Sequence, residues 1–318
     1  MPVITSSAPG KIILCGEHAV VYGAPAIALP VFQVSTKTTI LARPFALAGS
    51  IRFVAPCIDL YSDLDALLEN HPLRATSTLV MQEMGFSRLQ ACEIRIHTSI
   101  PIAAGLGSSA SVTVSLARAL SAFHGHPLSD EAVNRVAFEI EKLHHGTPSG
   151  IDNTVITYRV PVYFIKSLPI EHLTIRNPFS LVIADSGTAS LTAKTVAGVR
   201  ERWLSDKDRY ETIFANISNL SREVKRILEE DDLTRNAALL TRNHELLKDL
   251  GVSTPALDDL VNYALEAGAL GAKLSGGGGG GNIIALVNGS QAESVARALE
   301  QHGAARTIIT AIPPAQGI

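Results

Sequence analysis

Pro101-Ile102-Ala103-Ala104-Gly105-Leu106-Gly107-Ser108-Ser109-Ala110 separates two segments of different periodicity. Before it, residues 91–97 alternate as a strand does. After it, small and apolar residues run on to about Phe123 and surround a helix almost completely, so that helix should be buried. The loop therefore joins a strand to a helix. Its glycines let backbone approach an anion, and the helix start adds unpaired N–H groups and a favourable dipole. The Ser108 and Ser109 hydroxyls could reach phosphate oxygens or a hydrated Mg²⁺. A tight turn with serine caps explains the loop alone equally well. Gly-x-Gly-x-x-Ala also fits a dinucleotide loop, but that reading needs an acidic residue about 20 positions on, at the end of a second strand. Here that region lies between two helices. No Gly-x-x-x-x-Gly-Lys-Ser/Thr run exists, which excludes a P-loop.

Downstream, Ser129 is a good N-cap and Gly146 a good C-terminal stop for a second helix. Its apolar stripe is Val133, Val136, Ala137, Ile140 and Leu143. Glu139 points to solvent, whereas Glu141 sits at the edge of the stripe. A carboxylate at the border of a buried face should have a metal, a base or a donor beside it. Glu141-x-x-His144 is also half of a di-iron pattern, without a convincing second half. The punctuated stretch His145-Gly146-Thr147-Pro148-Ser149-Gly150-Ile151 then leads to Asp152 and must make a defined turn. Two carboxylates on separate supports can divide the work between Mg²⁺ and a proton. A helix-end loop with a capping aspartate is the plainer reading.

Further on, the pattern predicts short strands at 154–157, 162–165 and 180–184. Four helical segments follow between Ser190 and Ala267, divided near Ser205, Glu230 and 251–255. Ser275 and six glycines, Gly276–Gly281, lie between apolar segments rather than polar ones. A flexible linker is the bland reading, but ordering six glycines is entropically costly and makes sense where backbone must touch a ligand. A strand over 282–287, a helix over 291–302 and a strand over 306–311 complete the chain. Near the N-terminus, 11–15 and 34–41 read as strands. A helical stretch over 63–84 is broken at Pro72. Lys11 at the head of an apolar strand and the pair Glu17-His18 are unusual, though not decisive.

The composition supports a real core: 46% of the 318 residues are hydrophobic and 18% charged. Disordered, collagen-like and coiled-coil classes are excluded. A net charge of −3 argues against nucleic acid or an anionic membrane as the main partner. Cys15, Cys57 and Cys92 have neither metal-ligand nor redox spacing and read as small buried hydrophobes in a reducing cytosol. The N-terminus lacks the pattern of a signal peptide, so a cytoplasmic protein is expected.

Three segments together resemble the family of small-molecule kinases named for galactokinase, homoserine kinase, mevalonate kinase and phosphomevalonate kinase. They are Ala8–His18, Pro101–Ala110, and Lys273-Leu274-Ser275 with Gly276–Gly281. Gly16-Glu17-His18-Ala19-Val20-Val21-Tyr22-Gly23, His145–Asn153 and Thr192–Arg200 are most similar to its mevalonate-phosphorylating branch. Gly277 stands where alanine is usual, and Asn282 where cysteine or aspartate is commoner.

The resemblance implies an α+β fold. Its N-terminal domain (1–178) would be ribosomal-protein-S5-domain-2-like and its C-terminal domain (179–318) ferredoxin-like, with the active site in the cleft between them. It implies ATP and mevalonate as small-molecule substrates, phosphorylated on the primary C5 hydroxyl, with Mg²⁺ as cofactor; a homodimer is left open. By the same resemblance, Gly105, Leu106, Gly107, Ser108 and Ser109 cradle the phosphates, and Ser109 and Glu141 hold the metal. Asp152 takes the acceptor's proton, with Lys11 keeping it ionised. Glu17, His18, Thr192, Gly276, Gly277 and Gly278 lie towards the acceptor. A same-family kinase with another acceptor stays open. So does a non-catalytic ATP-binding regulator, although such a protein would be expected to lose Asp152 or Glu141.

Overall fold

Residues 3–101, 104–145, 148–190 and 192–314 are described by a computed structural model of the chain, the side chains of 144 and 145 excepted. Ile102 and Ala103 of the loop motif, and the stop expected at Gly146, lie outside the described residues. The chain forms two compact units, each assembled from separate stretches. The first comprises Met1–Gly10, Val34–Pro101 and Gly107–Arg159; the second comprises Lys11–Gln33, Ile102–Leu106 and Val160–Ile318.

The first unit takes the beginning of β1 (Val3–Cys15) and the end of β2 (Ala26–Ala42), with β3 (Ile51–Ala55), β4 (Leu60–Asp63) and β5 (Cys92–Thr98). Its strands run in the order β4-β3-β5-β2, with β3 parallel to β5 and the other pairs antiparallel. The alternation of β5 places Cys92, Ile94 and Ile96 inward. Four helices belong here: α1 (Pro72–Glu83), α2 (Ser108–Phe123), α3 (Asp130–His145) and α4 (Ile151–Tyr158).

Helix α2 packs against α1, α3, α4 and β5 and is buried on nearly all sides, as its composition requires. Its buried hydroxyls are paired rather than wasted. Ser111 donates to the Ala8 carbonyl at 2.8 Å, and Ser115 lies 2.8 Å from the Thr38 hydroxyl.

Five expectations need correction. Pro72 opens α1 instead of breaking a helix, because proline's missing N–H costs nothing in the first turn; residues 60–63 are a strand. Residues 154–157 are helical, not extended. Thr154 bonds back to the Gly150 carbonyl at 2.7 Å, and Ile151, Val155 and Ile156 share one buried face at helical spacing. Leu143 is exposed, off the buried stripe of Val133, Val136, Ala137, Ile140 and Glu141. Cys57 is exposed in a short turn, while Cys15 and Cys92 are buried. Strand β3 was absent from the expected elements altogether.

The second unit pairs the start of β2 with β6 (Val162–Phe164), which pairs with β7 (Glu171–His172). Its main sheet is β8 (Phe179–Asp185), β9 (Gly271–Ser275), β10 (Asn282–Val287) and β11 (Arg306–Ile312), in the antiparallel order β11-β8-β10-β9. Between β8 and β9 come α5 (Thr192–Ser205), α6 (Lys207–Glu230), α7 (Ala238–Asp249) and α8 (Pro255–Glu266); α9 (Ala292–Gln301) precedes β11. Helices α7, α8 and α9 pack on this sheet, and α6 packs an apolar stripe against neighbours that include α5 and α7. In α6 the stripe is Tyr210, Ile213, Phe214, Ile217, Leu220, Val224 and Ile227. Strands in sequence order 4-1-3-2 with crossover helices make a ferredoxin-like α+β arrangement. No helix among the described residues is long and apolar enough to cross a membrane.

Candidate active site

In the second unit, β1 ends at Cys15 and the chain turns sharply at Gly16. Its φ is +95°, and a Cβ there would overlap the Pro25 carbonyl and the Ala26 backbone. The turn delivers Glu17 and His18 to the start of a 3₁₀ segment, Ala19–Tyr22. His18 itself has φ +59°, uncommon for a residue with a side chain. Its Nε2 lies 2.9 Å from the Gly277 carbonyl. A carbonyl only accepts, so Nε2 carries a proton and donates it. Burial pushes the His18 pKa down to about 4, against a smaller opposing pull from the Gly277 bond.

Glu17 turns the other way, into the interior. Its carboxylate is bonded by the ammonium of Lys273, and both side chains are completely buried. Burial raises the Glu17 pKa, while Lys273 acts against that rise. Lys273 also donates to the Leu274 carbonyl, at 2.5 Å.

The glycine run is ordered by its neighbours. The Gly279 N–H donates to the Val252 carbonyl at 2.8 Å, and Ser190 Oγ donates to the Gly278 carbonyl at 2.9 Å. A Cβ on Gly277 would lie 2.5 Å from Thr192 Oγ1. Thr192, His18 and Gly277 therefore meet in one place. Ser275 is structural: its hydroxyl donates to the Ile13 carbonyl at 2.8 Å and accepts from the Ile13 N–H at 3.1 Å. The Asn282 side chain donates to the Ala104 carbonyl and fixes the end of the run to the first loop. Lys11 is buried, and its own N–H donates to the Leu106 carbonyl at 3.0 Å. Gly105 has φ +80° with open space around a built Cβ, so conformation alone selects glycine there.

In the first unit, Gly107 (φ +75°) caps α2 without a side-chain bond, leaving the first-turn amides of Ser108 and Ser109 for an anion. Both serines are half-buried. Glu141 is 4% exposed on α3, which packs on α2. Asp152 is half-buried in the first turn of α4. The next residue, Asn153, donates to Asn134 Oδ1 at 2.7 Å and ties α4 to α3.

No group of three or more His, Cys, Asp or Glu forms a metal cage among the described residues. A serine hydroxyl and a carboxylate are hard oxygen donors. They fit an octahedral ion that takes its remaining ligands from phosphate and water.

A sequence model for the GHMP kinases N terminal domain matches residues 70–159, and one for GHMP kinases C terminal matches 224–305. The mevalonate kinase of Thermococcus sibiricus is 35% identical over 94% of this chain and 93% of its own length. That of Aeropyrum pernix is 31% identical over 91% and 90%. The chain belongs to the GHMP kinase family. Among solved structures, this GHMP kinase is similar to the L. major mevalonate kinase in complex with R-mevalonate. The TM-score is 0.84 and the identity 27%, covering 98% and 97% of the two chains. The Methanococcus jannaschii mevalonate kinase gives 0.82 and 26% over 98% and 97%.

Sequence reasoning missed what holds the GHMP kinase's glycine run in place, Ser190 and Val252, and the bond that Lys273 makes to Glu17. Lys273 alone left a signal, as a single charge inside the apolar run 270–274.

Proposed function

We propose that this GHMP kinase transfers the γ-phosphoryl group of ATP to the primary C5 hydroxyl of mevalonate, giving 5-phosphomevalonate and ADP. The observation that carries the reading is near-complete coverage by relatives that bear the mevalonate kinase name at up to 35% identity. The gathering of His18, Thr192 and Gly277 supports it locally.

Phosphoryl transfer asks the protein mainly to position reactants and neutralise charge. The amides of Gly105–Ser109 hold the nucleotide phosphates. Asp152 accepts the proton of the C5 hydroxyl, and Lys11 is the cation assigned with it by resemblance. His18 offers a neutral ring and Thr192 a hydroxyl at the acceptor end, where Gly276, Gly277 and Gly278 expose backbone. Glu17 acts there through the turn it anchors. Mg²⁺, held by Ser109 and Glu141, supplies charge neutralisation when bound. The domains are taken as 1–178 and 179–318, a division supported by the two sequence models falling on either side of it. A cytoplasmic location belongs to the same reading, supported by two buried free thiols, Cys15 and Cys92.

The test is ADP release by the purified chain with Mg²⁺-ATP, with and without mevalonate. Mevalonate-dependent release is expected; release independent of mevalonate, or none, contradicts the reading.

A further inference from the structure

A lysine with no exposure at all, in the middle of a sheet strand, needs a reason. β9 is buried at every position, and Lys273 is among the largest completely buried side chains. Burying two charges costs desolvation that their attraction often fails to repay, so such a pair is weak evidence for stability. What the pair does is mechanical. Lys273 Nζ joins the Glu17 carboxylate and the Leu274 carbonyl. Glu17 Oε2 is buried without a hydrogen-bond partner among the described residues, so Lys273 is the cation bonded to this side chain, with a weaker attraction from Lys11.

Next to Glu17, His18 keeps a positive-φ backbone (φ 59°, ψ −49°), a conformation that persists only where surroundings over-determine it. Two ties do this. One is Glu17 to Lys273; the other is His18 Nε2 to the Gly277 carbonyl, on the same chain segment. The turn and the start of the glycine run are thus clamped as one piece. Tyr22, at the end of the 3₁₀ segment, stacks on Phe214 with centroids 4.2 Å apart and leans on Trp203 at 5.2 Å.

We propose that Lys273 is a positioning residue for the acceptor: its buried bond to Glu17 sets the 16–18 turn and so aims the His18 ring and the Gly277 carbonyl. The inference rests on the reading that His18, Thr192 and Gly277 face the acceptor. It adds the group that holds them.

The test compares full-length wild type, Lys273→Met, Glu17→Gln and the double variant. Trp203, the chain's single tryptophan, reports on Tyr22 without any ligand, and amide hydrogen exchange reports on residues 17–22. In Lys273→Met, exchange over 17–22 should quicken roughly tenfold while that of α2 stays unchanged, and Trp203 emission should shift. The KM for mevalonate should rise roughly tenfold with the KM for ATP within about twofold of wild type. The double variant should be no worse than Lys273→Met, since both changes cut one tie. Unchanged exchange over 17–22 overturns the proposal. So does an equal rise in both KM values, or additive effects of the two changes.

Should Lys273→Met fail to fold, the double variant, which buries no charge, carries the same measurements. If wild type does not phosphorylate mevalonate, the reading of the reaction fails, and the ligand-free exchange still decides the role of Lys273.

Discussion

Asp152 and Glu141 carry opposite chemical demands on neighbouring helices. Asp152 is half-buried in a first turn, where a carboxylate can meet substrate; Glu141 is nearly sealed on α3. Asp152→Asn should lower kcat by roughly 10²–10⁴ while leaving ATP affinity close to wild type, the scale of a lost general base. Rapid-quench turnover beside an ATP titration checks it, and a near wild-type kcat removes Asp152 from the chemistry. Glu141→Gln keeps the volume and loses the charge. It should shift the Mg²⁺ activation curve to higher concentration without lowering Tm, and superimposable curves would make Glu141 merely structural. Glu141 was legible in the sequence because helical periodicity marks the edge of a buried stripe, and Asp152 because a turn punctuated by Gly and Pro leads to it. Lys273 was harder to read, because one lysine in an apolar strand has no partner within sequence reach. Glu17 lies far away along the chain, and only the fold closes the pair.

Several elements were read to within a residue or two, although β1 and β2, expected over 11–15 and 34–41, run over Val3–Cys15 and Ala26–Ala42. β10 falls on 282–287 as expected, and the four helices from α5 to α8 break where Ser205, Glu230 and Pro255 said they would. The failure at 154–157 has a clear cause: local residue type was overruled by tertiary context. β-branched Thr154, Val155, Ile156 and Thr157 look extended, yet α4 is helical because its buried face and the Gly150 start suit a helix. The glycine run shows the reverse case, a segment that looks flexible and is held. Gly278 has φ +68°, and a Cβ there would overlap the Val252 carbonyl, which is backbone and cannot swing away. Gly278→Ala should therefore destabilise the protein by about 2–4 kcal/mol, from backbone strain added to steric overlap. Urea unfolding of the two proteins measures this; a change below about 0.5 kcal/mol would mean the run is the flexible linker of the bland reading.

At the scale of the whole molecule, histidines that are wholly or partly buried set the acid limit. Burial lowers the pKa of His18, His71, His124 and His244, with His18 at about 4. The folded His18 stays neutral down to about pH 4, whereas in the unfolded chain it takes a proton below about 6.5, and the other three shift in the same direction. The unfolded state thus binds more protons between those values, so stability is full above about pH 6.5 and falls as pH drops towards 4. His18 alone accounts for roughly 3 kcal/mol of that loss. His18→Asn should flatten the slope of unfolding free energy against pH in this window, and an unchanged slope would show that His18 is not buried neutral.

The claim on which the rest depends is the choice of acceptor. A mevalonate site must hold a carboxylate as well as present a primary hydroxyl, which asks for N–H or cationic donors at one end. The decisive measurement is kcat/KM for mevalonate, 5-phosphomevalonate, galactose and homoserine under one set of conditions, with phosphorus NMR of the product. Mevalonate should lead by roughly tenfold or more, about 1.4 kcal/mol of differential transition-state binding, with phosphate on the primary oxygen. A higher kcat/KM for any other acceptor, or phosphate on the tertiary hydroxyl, would contradict the account.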